Sequence, residues 1–181
     1  MLFLAILPVL AQDSVEKQLF FDINHYRDSV GLQKLQWDSL AYKAAKHHAD
    51  YLATINNSKY HKGLITHDEQ IDVDNVDEYS LGERFQLFIP KHKKAVENAG
   101  GGTVSNSFGK KTVTIKIAEI SNSLLNMWIG SDAHKKNLER KEFTKGACAI
   151  TFVNTNVIVD TPTGQQTRTI TSYYAVFVTY Y

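Results

Sequence analysis

Three histidines sit where the surrounding sequence fixes them, and they are the first residues to weigh for chemistry. His134 follows Trp128-Ile129-Gly130-Ser131-Asp132. An apolar helical run with Leu124, Leu125, Trp128 and Ile129 at core-facing spacing stops at Gly130. Ser131-Asp132 then opens a second helix that delivers the imidazole one turn later. An imidazole fixed at such a corner can ligate a metal, move a proton or simply pack. Ser131 offers it a Ser–His pairing, but no acid is placed to orient the ring, and Ser131 reads better as a helix cap. His67, in Ile65-Thr66-His67-Asp68-Glu69, is a second isolated imidazole behind a short apolar pair. His48 falls on the apolar stripe of a helix and reads as a packing residue with satisfied nitrogens, while His47 points away toward solvent.

Other chemistries find less support. The single cysteine, Cys148, lies in the strand-like Gly146-Ala147-Cys148-Ala149-Ile150-Thr151-Phe152, where a buried, inert thiol is expected. The acidic run from Asp68 to Glu78 spaces Asp72, Asp74 and Asn75 in a way that suggests a calcium loop. It lacks the glycine and the terminal glutamate that loop needs, and reads as solvated. Gly100-Gly101-Gly102 is followed by no Gly-Lys-Ser/Thr and reads as a flexible bend rather than a phosphate cradle.

Several elements must position these residues. Asp13 and Glu16 fit a capping box for an amphipathic helix carrying Val15, Leu19, Ile23, Tyr26 and Val30, which should stop at Gly31. Asp38 caps a second helix with Ala41, Ala44, Ala45, His48, Leu52 and Ile55 on one face; its small alanines invite close approach of another element. Leu81, Phe85, Leu87 and Phe88 form a short packed segment around Glu83-Arg84. Thr112 to Ile117 alternates like a strand, and the helix carrying Trp128 begins near Ala118. Gly146–Asp160 and Thr167–Tyr181 flank the turn cluster Thr161-Pro162-Thr163-Gly164 and read as a long antiparallel hairpin. Helices precede and interrupt the strands without regular alternation, so an α+β sheet covered by helices is expected, not a doubly wound parallel fold.

A chain of 181 residues is long enough for one domain with a substantial core, and 43% hydrophobic with 22% charged residues is ordinary for a globular protein. A formal net charge of +1 argues against a nucleic-acid partner held by bulk charge. Residues 1–11, Met-Leu-Phe-Leu-Ala-Ile-Leu-Pro-Val-Leu-Ala, are too short an apolar run to span a bilayer. Val9 and Ala11 occupy the small-residue positions of a cleavage site, so the run reads as a signal peptide cut before Gln12, though no basic residue precedes it. A mature chain from residue 12 to 181 would carry no transmembrane anchor. With one cysteine, an exported form must rest on its core alone.

Taken in order, several segments resemble the CAP superfamily (cysteine-rich secretory protein, antigen 5 and pathogenesis-related proteins). Asn24-His25-Tyr26-Arg27, Gly31 through Asp38 and the alanine-rich helix through Leu52-Ala53 are similar to its opening. His67, Glu97-Asn98, the run Trp128 to Asn137 and Tyr173-Tyr174-Ala175-Val176 resemble its later landmarks. The resemblance implies an α-β-α sandwich with a small antiparallel sheet between helical layers, and a single domain over residues 12–181. It implies a cleft lined by His67, Glu97, Asn98, Ser131 and His134. Family members commonly carry a second glutamate where this chain has Ser131, and paired cysteines that it lacks, as in the bacterial, SCP-like branch.

Two functions follow from that resemblance. One is a secreted or periplasmic binding module whose cleft holds a small ligand, a lipid or a partner protein. The alternative is a metal-dependent hydrolase in which His67, His134 and Glu97 hold zinc or another divalent cation, with Glu97 as ligand or general base. Two imidazoles and a carboxylate are the donor set of an open zinc site. No local His-Glu-x-x-His motif supports it, and Glu97 could equally accept hydrogen bonds from both histidines and fix the cleft wall.

Overall fold

The computed structural model describes residues 7–57, 65–70, 78–90, 93–108, 111–114 and 117–181. Its elements run α1 (Leu7–Ser29), β1 (Gln36–Trp37), α2 (Ser39–Asn57), β2 (Glu69–Gln70), β3 (Glu78–Tyr79), α3 (Leu81–Gln86), β4 (Ala95–Phe108), β5 (Lys111–Thr114), α4 (Ile117–Ile129), α5 (Asp132–Leu138), β6 (Lys145–Thr161) and β7 (Gly164–Tyr180). One sheet has the order β1-β6-β7-β4-β5, and β2 and β3 form a separate two-stranded ladder. Only the short β1–β6 pairing is parallel. β6, β7, β4 and β5 run antiparallel.

Strand alternation sorts the core into two layers, because successive side chains leave opposite faces of a sheet. Ala147, Ala149, Val176 and Val178 pack with the alanine stripe and Leu52 of α2 and with Phe85 of α3. Cys148, Ile150, Ala175 and Phe177 pack with Leu19 and Ile23 of α1 and with Leu124 and Trp128 of α4. The result is the α-β-α sandwich expected from the sequence.

Local signals fix the joints. Asp38 caps α2 by accepting the amide N–H groups of Leu40 and Ala41 at 2.9 and 3.0 Å. α1 closes through Gly31, whose φ of 75° is reached cheaply only by glycine, and the Leu32 amide bonds back to the Arg27 carbonyl. Arg27, wholly buried, donates to the carbonyls of Gln33, Leu138, Arg140 and Phe143 and so ties the end of α1 to the segment after α5. Asn24 holds Leu35 by both its amide and its carbonyl. The buried Cys148 and the long β6–β7 hairpin also match expectation.

Three expectations need correction. Asp13 does not cap a helix: α1 runs from Leu7 through it, and the buried Glu16 instead accepts the Ile150 amide at 2.9 Å. Gly100-Gly101-Gly102 is no bend; it lies within β4, paired to β7. The glycines are there for contact. A Cβ on Gly100 would meet Met127 and Leu124 of α4, and one on Gly101 would lie 2.8 Å from the Tyr173 carbonyl oxygen. Glu69, read as part of a solvated acidic loop, is buried. His47 is exposed as expected, and its ring also approaches Glu69 at 3.3 Å and Phe88 at 5.3 Å between centroids. The calcium-loop positions Asp72, Asp74 and Asn75 lie outside the described residues.

Candidate functional site

The site assembles at one margin of the sheet. β4 pairs with β7 along its length, but β5 joins its other side only from Ser105 to Phe108. From Ala95 to Thr103, β4 is therefore an edge strand among the described residues. Glu97 and Asn98, adjacent on that edge, send their side chains to opposite faces. Glu97 turns toward α2 and α3. Asn98 turns toward α5, where its amide donates to the His134 carbonyl at 3.0 Å. Asn137 then donates to the Glu97 carbonyl and the Asn98 side-chain oxygen, both at 3.0 Å, and so covers the exposed strand edge.

Glu97 is the hub. One carboxylate oxygen meets His67 Nδ1 at 2.9 Å and the other accepts from Arg84 Nη2 at 2.8 Å. Arg84, also fully buried, donates to the His67 carbonyl at 3.2 Å, and its Nε lies 3.3 Å from Glu69 without the alignment of a hydrogen bond. Glu69 in turn meets His48 Nδ1 at 2.7 Å, while His48 Nε2 faces the Thr66 carbonyl at 2.7 Å and Glu97 at 3.5 Å. Two carboxylates, a guanidinium and two imidazoles thus form one connected group, most of it withdrawn from water. Burying such charges costs several kcal/mol per ion unless partners replace the lost solvent, which is what each residue here does for the next.

His67 and His134 carry the arrangement outward. Their ring centroids are 6.5 Å apart, and 43% of the His67 side chain remains exposed. The hydrogen bond to Glu97 raises the His67 pKa against the opposing effect of burial. Burial lowers the His134 pKa, and the neighbouring His67 lowers it further. His134 Nδ1 is buried without a hydrogen-bond partner. Burial pushes Glu69 up, but the hydrogen bond from His48 and the charge of Arg84 outweigh it, and its pKa falls.

His67, Glu97 and His134 therefore come together, with Asn98 behind His134. Ser131 stands at the cap position of α5, yet its side chain caps nothing and makes no hydrogen bond to His134, so no Ser–His dyad forms. The donor set does not fit a three-ligand metal site. Glu97 stands behind His67 as its hydrogen-bond partner, and Arg84 holds the second carboxylate oxygen, placing a cation where a dication would need charge. Among the described residues no trio of His, Cys, Asp and Glu is disposed to hold an ion.

The sequence pattern of the cysteine-rich secretory protein family (CAP) matches residues 20–159. The chain belongs to the CAP family. A CAP-type fold is seen again in an extracellular protein containing an SCP domain from Bacillus anthracis, with 19% identity and a TM-score of 0.53 over 90% of this chain. This chain spans 40% of that protein. An outer surface protein from Borrelia burgdorferi aligns over 89% of both chains with 16% identity and a TM-score of 0.45. No curated protein matches the sequence.

Sequence reasoning missed Glu69 and Arg84, while His48 is the buried histidine with both nitrogens satisfied that the helix stripe indicated. Glu69 lies two residues after His67, the spacing that brings side chains to one side of extended backbone. Arg84 follows Glu83 in Leu81-Gly82-Glu83-Arg84-Phe85-Gln86, where a second charged residue does not stand out. A separate concavity of about 500 Å³ on the outer side of α1, floored by Phe20, Phe21 and Trp37, is far from this chemistry in sequence and shares no residue with it.

Proposed function

We propose that this CAP domain is a non-enzymatic binding module acting outside the cytoplasm, with the two imidazoles of His67 and His134 lining a cleft that holds a ligand rich in hydrogen-bond acceptors. The observation that carries this reading is the engagement of Glu97: both its oxygens already have partners. A carboxylate held between His67 and Arg84 is poorly placed to take a proton from substrate water, whereas a general base must reach that proton directly. His67, inclined toward its protonated form by Glu97 and 43% exposed, and the half-buried His134, whose ring centroid lies 6.5 Å from it, are the groups left to meet a ligand. The signal-like Met1–Ala11 and the extracellular Bacillus protein support the location. No described helix is long and apolar enough to cross a membrane.

Inorganic phosphate, followed through the imidazole resonances by NMR, tests the binding reading, and nitrophenyl ester turnover with and without zinc tests the hydrolytic one. The expected result is saturable shifts of His67 and His134 with phosphate, and no turnover above the heat-denatured protein. Turnover that requires zinc and is lost in Glu97→Gln would overturn the proposal.

A further inference from the structure

The β6–β7 hairpin extends well past the rest of the sheet. Among the described residues β4 accompanies β7 only from Tyr180 back to Ile170, so from Asn156 to Thr169 the arm is two strands wide. Two-stranded ribbons are marginal in water without a third strand or a covering helix.

The register tells which backbone groups of β6 face outward. Thr161 pairs with Gly164 across a two-residue turn, which makes it a hydrogen-bonded pair. Antiparallel pairs alternate, so odd-numbered residues of β6 direct N–H and C=O toward β7 and even-numbered residues direct theirs away. Two contacts agree: the Gly146 carbonyl accepts the Asp38 amide, and the Ile150 amide goes to Glu16. The fold therefore guards this edge with β1 at Gly146 and with a buried carboxylate at Ile150. Beyond that point, among the described residues, no strand pairs with it.

The unguarded stretch carries none of the usual deterrents to strand addition. Thr151-Phe152-Val153-Asn154-Thr155-Asn156-Val157-Ile158-Val159-Asp160-Thr161 has no lysine and no proline and a single charge at Asp160. Asn154, Asn156, Ile158 and Asp160 are exposed, Ile158 at 70%. Thr169 and Thr171 bond across to Asn156 and Asn154, which makes this face regular.

We propose that the outer edge of β6 between Asn154 and Asp160 pairs antiparallel with the same edge of a second copy of this chain, joining two arms into a four-stranded ribbon about a twofold axis. The edge suits its own copy. Pairing Asn154–Asp160 with itself puts the dyad at Val157 and Asp160 opposite the neutral Asn154, so no like charges meet. An isologous contact consumes both edges at once and closes the assembly. A near-neutral edge offers no charge pattern to select a different strand.

Sedimentation of the full chain across the micromolar range tests this, together with two variants. Asn156→Pro removes an outward N–H and leaves the ladder to β7 intact, since proline is tolerated on an edge when its nitrogen faces solvent. Ile158→Lys brings like charges together near the dyad. The wild type should form a species of twice the 20.5 kDa chain mass, and each variant should weaken association by about tenfold or more. The amides of Asn154, Asn156 and Ile158 should exchange more slowly at high protein concentration than at low. Should proline disturb the arm, the lysine variant decides alone. A chain that stays monomeric throughout, or a dimer that neither variant weakens, overturns the proposal.

Discussion

Arg84 is the buried cation that joins the two carboxylates of this site. Its guanidinium lies between Glu97 and Glu69, two buried carboxylates that have lost most of their solvent. Replacing it with the similar-sized Met should destabilise the fold by ~3–5 kcal/mol, because two buried charges lose their partner together. Urea titration of Arg84→Met and wild type measures this; equal midpoints would mean the ion pairs contribute nothing. The lowered pKa of Glu69 gives a companion pH effect. Its contribution to stability is complete above the ordinary carboxylate value of 4.5 and is lost as pH falls through the lower folded value. At this scale the sequence was half legible. His67, Glu97 and His134 could be named from their resemblance to family landmarks. Glu69 and Arg84 could not, since a buried ion pair leaves no periodic trace and depends on distant partners.

Among the elements, β4 departs most from what its sequence suggests. Three consecutive glycines weaken a strand by their conformational freedom and supply no side chain to pack, so propensity points to a bend. Tertiary contact overrides it. Trp128 lies against this stretch and donates its indole N–H to the Ala99 carbonyl at 3.2 Å, a contact possible only with bare backbone alongside. Gly101→Ala should cost ~1–3 kcal/mol, since the new Cβ lands 2.8 Å from a paired backbone oxygen and the strand must shift. Thermal unfolding checks it, and a melting temperature equal to wild type would show that β4 and β7 have room to spare. The helices were easier to read because their signals are local. The Asp38 cap, the Gly31 stop and the alanine stripe of α2 all stand as the spacing indicates. Where the first helix begins was missed because Asp13 and Glu16 imitate a cap, while Glu16 serves the sheet edge at Ile150.

Across the whole molecule, both helical layers reach the same margin of the sheet and meet there. α2 brings His48 and α3 brings Arg84 from one side; α5 brings His134 and Asn137 from the other, steadied by Arg27 of α1. A sheet covered by helices was legible from helix spacing and the terminal hairpin, and the α-β-α sandwich from the family resemblance. Its convergence on Glu97 was not, because that depends on strand order, and no single segment encodes which strand lies at the edge. The central claim is that Glu97 belongs to this buried framework and sets the two histidines apart. Histidine-resolved NMR titration of wild type and Glu97→Gln tests it most directly. His67 should titrate above 6.5 and His134 below it. The stability that His67 adds should be complete below pH 6.5 and disappear as pH rises through its folded value, while that of a neutral His134 should be lost as pH falls below 6.5. In Glu97→Gln the His67 value should drop, with the fold weakened by ~1–3 kcal/mol for the unsatisfied buried partners. Two histidines titrating together near 6.5, unmoved by the substitution, would contradict the account.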